Sequence, residues 1–220
     1  MNKLLGMVIV ASLAGCTFAS ADETTKYKVT FNATWNNQSH PLDYPKDALL
    51  SGLIGATHNQ NYYIFVDGKT ATDGLEALFE KGAHSPLDTE IIQSISSGDA
   101  GSLFESGPLL KFPGNISAQF TADEKYPLVS VVAMIAPSPD WFTGVSNVSL
   151  KHDGKWIDTV TLPLLAWDAG TDFGSTYLAK NADAQPSQSV RINASLHFAG
   201  PDGIAKIGTV TFTRISTVTN

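Results

Sequence analysis

The sequence predicts a mostly β protein, an antiparallel β-sandwich interrupted by one or two short helices. Three observations carry that expectation. Apolar and polar residues alternate with period two through Tyr27–Trp35, Pro127–Ala136 is almost continuously apolar, and Gly-, Pro- and Asp-rich turns separate the strand-like runs. Alternation marks a strand with one buried face, and a continuous apolar run marks a strand covered on both. Short strands set between such turns favour a sandwich.

In chain order, the first residues read as an export leader. Met1–Lys3 carries one positive charge, and Leu4–Gly15 is an uncharged run of apolar and small residues. The run is shorter than the roughly 20 residues of a membrane-spanning helix. Two exits follow it. Ala19–Ser20–Ala21 is an A-x-A cleavage site, which makes residues 1–21 a signal peptide and residues 22–220 the mature domain. Leu13–Ala14–Gly15–Cys16 resembles a lipobox, in which Cys16, the one cysteine of the chain, is lipidated and becomes the first residue. Either exit places the protein outside the cytoplasm, secreted or held at the cell envelope.

Within the mature chain, Tyr27, Val29, Phe31, Ala33 and Trp35 form the buried face of a first strand. Tyr62–Val66, aromatic and β-branched, reads as another short strand. Gly74–Lys81 reads as a helix with Thr72 or Asp73 as N-cap, Gly82 as its stop, and Leu75, Leu78 and Phe79 on one face. Asp88–Ile95 reads likewise, with Asp88 or Thr89 as cap and Ile91, Ile92 and Ile95 facing the core. Glu76 and Glu80 fall on what reads as a solvated helix face. Lys151–Lys155 and Gly200–Gly203 read as Asp-Gly turns, the second joining Ser189–Ala199 to Ile204–Ile215 in a hairpin. No linker or repeat divides the chain, so one domain is expected.

Composition removes several function classes. The formal net charge is −7, and the leader contributes Lys3 and no acid, so the mature chain is more acidic still. With no basic run, nucleic acid and anionic membrane surfaces are poor partners. Nothing beyond the leader suggests a transmembrane span. Without a cysteine after Cys16 there is no intrachain disulfide, and stability must come from packing and from any bound ion. The motifs of serine hydrolases, P-loop and dinucleotide-binding proteins and zinc proteases are absent, and the five histidines are scattered. His58 reads as a structural hydrogen-bonding residue. The expected protein is therefore not an enzyme.

What remains is a set of loop acids. Pro137–Ser138–Pro139–Asp140–Trp141 follows the apolar strand, and its two prolines limit the conformations that Asp140 can lose on binding a cation. In Trp167–Asp168–Ala169–Gly170–Thr171–Asp172, Gly170 permits a bend that aims Asp168 and Asp172 at one point. Three carboxylates make hard oxygen ligands of the kind that Ca²⁺ takes, although turn-forming aspartates are common without any ion.

These two motifs also carry a resemblance. Together with Tyr27–Trp35, His40–Pro45, Leu53–Asn59, the Gly74–Gly82 helix, Gly144 and Pro163, they make the chain similar to the spondin domain, the N-terminal module of F-spondin and mindin. The resemblance covers nearly all of the mature chain. It implies an antiparallel β-sandwich with a calcium ion at the loop end, and the family's metal-binding aspartates fall on Asp140, Asp168 and Asp172. Vertebrate members carry cysteines in the stretch matching Ser149–Trp156, where this chain has none, and it lacks the thrombospondin-type repeats that follow. Binding to matrix receptors is therefore not implied. Three functions stay open: a calcium-binding module that engages a surface protein, a glycan-binding module with Trp141 as stacking platform, and a metal-assisted hydrolase. The first is favoured, because no activated nucleophile is visible.

Overall fold

The structure, a computed structural model, describes residues 24–201 and 203–218. The expected leader, with Cys16 and the Ala19–Ala21 site, lies outside the described residues, as does Asp202 of the second Asp-Gly turn. The first strands are β1 (Thr24–Ala33), β2 (Leu49–Leu50) and β3 (Ile54–His58), followed by the helices α1 (Asp73–Lys81) and α2 (Leu87–Ser97). Then come β4 (Ala100–Glu105), β5 (Gly114–Ala122), β6 (Leu128–Ala136), β7 (Trp141–Ser149), β8 (Lys151–His152) and β9 (Lys155–Trp156). The last are β10 (Thr159–Leu164), β11 (Ala166–Asp168), β12 (Arg191–Ile192), β13 (Ala199–Gly200), β14 (Gly203–Ile204) and β15 (Gly208–Val218).

Two antiparallel sheets face each other in a sandwich-like arrangement. One has the order β10-β15-β1-β5; the other runs β12-β11-β7-β6-β3-β4, with β2 paired to β6. The register of β1 on β15 runs from Thr24 opposite Val218 to Ala33 opposite Gly208. Period-two burial explains the first core: Tyr27, Val29, Phe31 and Ala33 of β1, with Phe120, Val210 and Phe212, meet Val129, Val131, Ala133 and Ile135 of β6. The intervening Val132 of β6 points the other way, into a second core with Ile54, Phe142, and Leu75, Leu78 and Phe79 of α1. That is why β6 is apolar at every position but Ser130: one face meets a sheet and the other meets helices. Each fully buried Val, Leu, Ile or Phe among them contributes about 1.5–3 kcal/mol of transfer free energy.

Both helices end where a left-handed glycine stops them, Gly82 at φ +68° and Gly98 at φ +82°. Thr72 caps α1 by accepting from the Leu75 amide. The expected start of α2 is corrected. Pro86 occupies its N-cap without a side-chain hydrogen bond, so Asp88 and Thr89 lie inside the first turn. Ile91 is buried and Ile92 half exposed, since neighbours on a helix point about 100° apart.

Two strand expectations are also corrected. Tyr62–Val66 forms no strand; Ile64 and Phe65 are buried against the helical layer from a loop, so its aromatic and β-branched content reflects burial without strand pairing. The second expected hairpin shrinks to β13 and β14, two residues each. Upstream, Leu196–Phe198 is a 3-10 turn that buries His197 and Phe198 and exposes Leu196, and Arg191–Ile192 pairs with β11 instead. Asn193 starts this departure by taking the Ser195 amide on its side chain.

Candidate metal centre

Strand register brings the loop acids together. Trp141, first residue of β7, lies opposite Asp168, last residue of β11. Asp140 precedes β7, and its carbonyl accepts from the Ala169 amide, so Asp140 and Asp168 sit at the same end of the same strand pair. Trp141 and Phe142 fix that end, since one packs into the inter-sheet core and the other into the helical core. Gly170 then turns the chain at φ +75°; a Cβ there would meet the Gln188 backbone at 2.7 Å. The turn aims two amides back at Asp140: Asp140 Oδ2 accepts from the backbone N–H of Thr171 at 2.8 Å and of Asp172 at 3.2 Å.

Asp140 is completely buried, and its Oδ1 has no hydrogen-bond partner. Burial first, then the negative charge of Asp168 and more weakly of Asp172, pushes its pKa up to about 6, against the two amides that favour its charged form. Asp168 is also raised, by burial, although the Arg191 guanidinium and the Gly170 amide both stabilise its charge. Its Oδ1 accepts from Gly170 N–H at 3.0 Å and its Oδ2 from Arg191 at 3.0 Å. Asp172 accepts from the Gly174 amide at 2.6 Å on Oδ1 and from the Ala182 amide at 2.7 Å on Oδ2.

The three aspartates therefore converge, but not into a finished cage. Among the described residues, no group of three or more His, Cys, Asp or Glu side chains is arranged to hold a metal. Asp168 is turned to Arg191, and Asp172 to amides of the following loop. One feature of the donor set nonetheless suits a hard cation: a buried, unpartnered carboxylate oxygen, near enough to two further carboxylates for their charges to raise its pKa, is costly without a positive charge.

Two sequence expectations about side chains change. Trp141 is only 2% exposed and packs on Tyr177, His197 and Phe198, so it offers no open face on which a sugar could stack. Glu80 does not sit on a solvated face: its Oε1 is buried, and burial together with Glu76, Asp172 and Asp183 raises its pKa against a favourable hydrogen bond from Thr171. Helix spacing alone says nothing of the loop residue Thr171 that packs on Glu80. Arg191 was missed altogether; it lies 23 residues from Asp168 in sequence, and only the β11–β12 pairing joins them. His58 behaves as expected, buried and bonded through Nδ1 to the Asn59 carbonyl and through Nε2 to Ser130 Oγ, each at 2.8 Å.

Two antiparallel sheets with three aspartates brought to one loop end define a two-sheet β module. The Spondin_N family model matches residues 25–201, a span that contains all three aspartates. The chain belongs to this spondin N-terminal domain family. It is 33% identical to spondin-1 of Homo sapiens over 206 residues, covering 88% of this chain and 26% of that protein. It is 30% identical to spondin-2 of Rattus norvegicus over 230 residues, covering 96% of this chain and 68% of that protein. Against spondin-2 of Homo sapiens the identity is 32% over 187 residues, 81% of this chain and 55% of the relative. The chain thus spans about a quarter of the length of the spondin-1 proteins that it matches. Among the described residues, no helix is long and apolar enough to cross a membrane.

Proposed function

We propose that the chain is an exported, non-catalytic module of the spondin type that holds one Ca²⁺ ion at its loop end and engages a surface partner there, in adhesion or envelope binding. The observation that carries this reading is the Asp140 carboxylate, fully buried with Oδ1 unpartnered and Asp168 and Asp172 near enough to raise its pKa. Asp140, Asp168 and Asp172 would hold the ion, with backbone carbonyls and water completing a shell of about six to eight oxygens. When bound, Ca²⁺ supplies positive charge that offsets three carboxylates. The residues themselves supply the positioning: the β6–β7 loop and the loop after β11 are already tied together through Asp140 Oδ2. Family membership supports a binding role, the leader supports export, and the lack of a catalytic motif weighs against hydrolysis.

Calorimetry with chelator-stripped protein tests the assignment. One calcium per chain is expected for the wild type, with Mg²⁺ weaker because it tolerates an irregular oxygen cage poorly. Asp140→Asn should weaken calcium binding markedly, since it removes one of the three ligand charges. An unchanged affinity in Asp140→Asn would end the assignment.

A further inference from the structure

Asp168 stands between two groups of opposite character. On the interior side is the buried carboxylate of Asp140, whose ionisation the charge of Asp168 disfavours. On the outer side is Arg191, its register partner across the β11–β12 pair and the donor of a 3.0 Å bond to Asp168 Oδ2. The two partners differ in exposure, with the Arg191 side chain 48% exposed and that of Asp168 16%. Arg191 is further held by a 2.7 Å bond from its second terminal nitrogen to Gln188 Oε1, and the Gln188 amide is bonded to the Gly170 carbonyl. The guanidinium, at the start of β12, is thus tied through Gln188 to the loop after β11, and its exposed side leaves it free to turn towards solvent.

A guanidinium and a divalent cation compete for one carboxylate. Both seek its oxygen lone pairs, and two positive charges on a single carboxylate repel across a few ångströms with little water between them. Arg191 also has no proton to lose that would relieve this, because its charge is permanent.

We propose that Arg191 is the built-in competitor of the calcium ion. It neutralises Asp168 when calcium is scarce and sets the affinity by having to give way when calcium binds. This rests on the calcium reading of the site. Its consequence is that Arg191 weakens calcium binding while stabilising the calcium-free protein, two effects of opposite sign from one side chain. A residue that merely supported the loop would act on both in the same direction.

The experiment is calcium calorimetry on chelator-stripped wild type, Arg191→Gln and Arg191→Lys, with melting curves of each in excess chelator. Arg191→Gln should bind calcium about tenfold tighter or more, because it removes one positive charge from beside a ligand carboxylate in a poorly hydrated site. The same variant should melt lower than the wild type in chelator. Arg191→Lys keeps the charge and should stay close to the wild-type affinity. Equal or weaker calcium binding by Arg191→Gln overturns the competitor role and leaves the calcium site standing. Failure of all three proteins to bind calcium overturns the calcium reading and the competitor role with it.

Discussion

His58 is wholly buried, and both of its ring nitrogens are committed inside the fold. Burial lowers its pKa below the ordinary value of 6.5, against the Asn59 carbonyl, which favours the charged ring. The unfolded chain takes up the proton first as pH falls. His58 therefore contributes stability that is fully present above about pH 6.5 and is lost as pH drops through its lowered native value. Asp140 works in the opposite direction: its raised carboxyl contributes stability that is lost as pH rises through about 6. The two slopes overlap, so the test is a difference. Urea midpoints of wild type and His58→Gln between pH 7.5 and 5 should show the wild type losing stability faster towards acid, by at most about 1.4 kcal/mol per pH unit. Parallel profiles would mean that His58 does not exchange its proton on unfolding.

At the scale of elements, the two helices are joined end to side. The Glu90 carboxylate of α2 accepts from the Gly74 amide at 2.8 Å and from Thr72 Oγ1 at 2.6 Å, so one helix satisfies orphan donors at the N-terminus of the other. Gly74 is needed there, since a Cβ would meet the Leu87 Cα at 2.6 Å. Glu90→Ala should cost about 1–2 kcal/mol, and Thr72→Ala about 1 kcal/mol, as loss of cap contacts does. Urea unfolding would show both as lower midpoints at unchanged slope. The α1 signals were legible because Thr72, Leu75, Leu78, Phe79 and Gly82 act within one helix. The start of α2 was not, because nothing local to Asp88 or Thr89 shows that Leu87 is buried. Tyr62–Val66 misled for a related reason: aromatic and β-branched residues report burial, and only strand neighbours decide pairing. The site divides along the same line. Asp140, Asp168 and Asp172 stood in motifs that sequence can carry, whereas the Arg191 contact exists only across the β11–β12 register, and the burial of Trp141 follows from which face of β7 meets the opposite sheet.

For the whole molecule, the loop acids and the cores are separable. The strands of both sheets are held by packing that does not involve Asp140, Asp168 or Asp172. If calcium binds only the native state, an ion at a hundred times its dissociation constant adds about 2.7 kcal/mol. Chelation should then lower the melting temperature by roughly 5–10 °C, at about 2–4 °C per kcal/mol, while the β signal at room temperature persists. Coincident melting curves in calcium and in chelator would show the acids to be ordinary turn residues. The β1–β15 register carries a different consequence. Thr24 and Val218 are partners, so both described ends of the chain leave the sheet side by side, and the strand path continues from Leu164, opposite Gly208, into β11 and Asp168, away from them. Under tension, these two geometries are unlike. Pulling the two ends apart loads one antiparallel hydrogen bond after another, like a zip, whereas a load between the Thr24 end and the acidic loops runs along the strands and strains many bonds at once. A protein tethered at its N-terminal side and gripped at its loops is loaded in the direction in which its sheet is strongest.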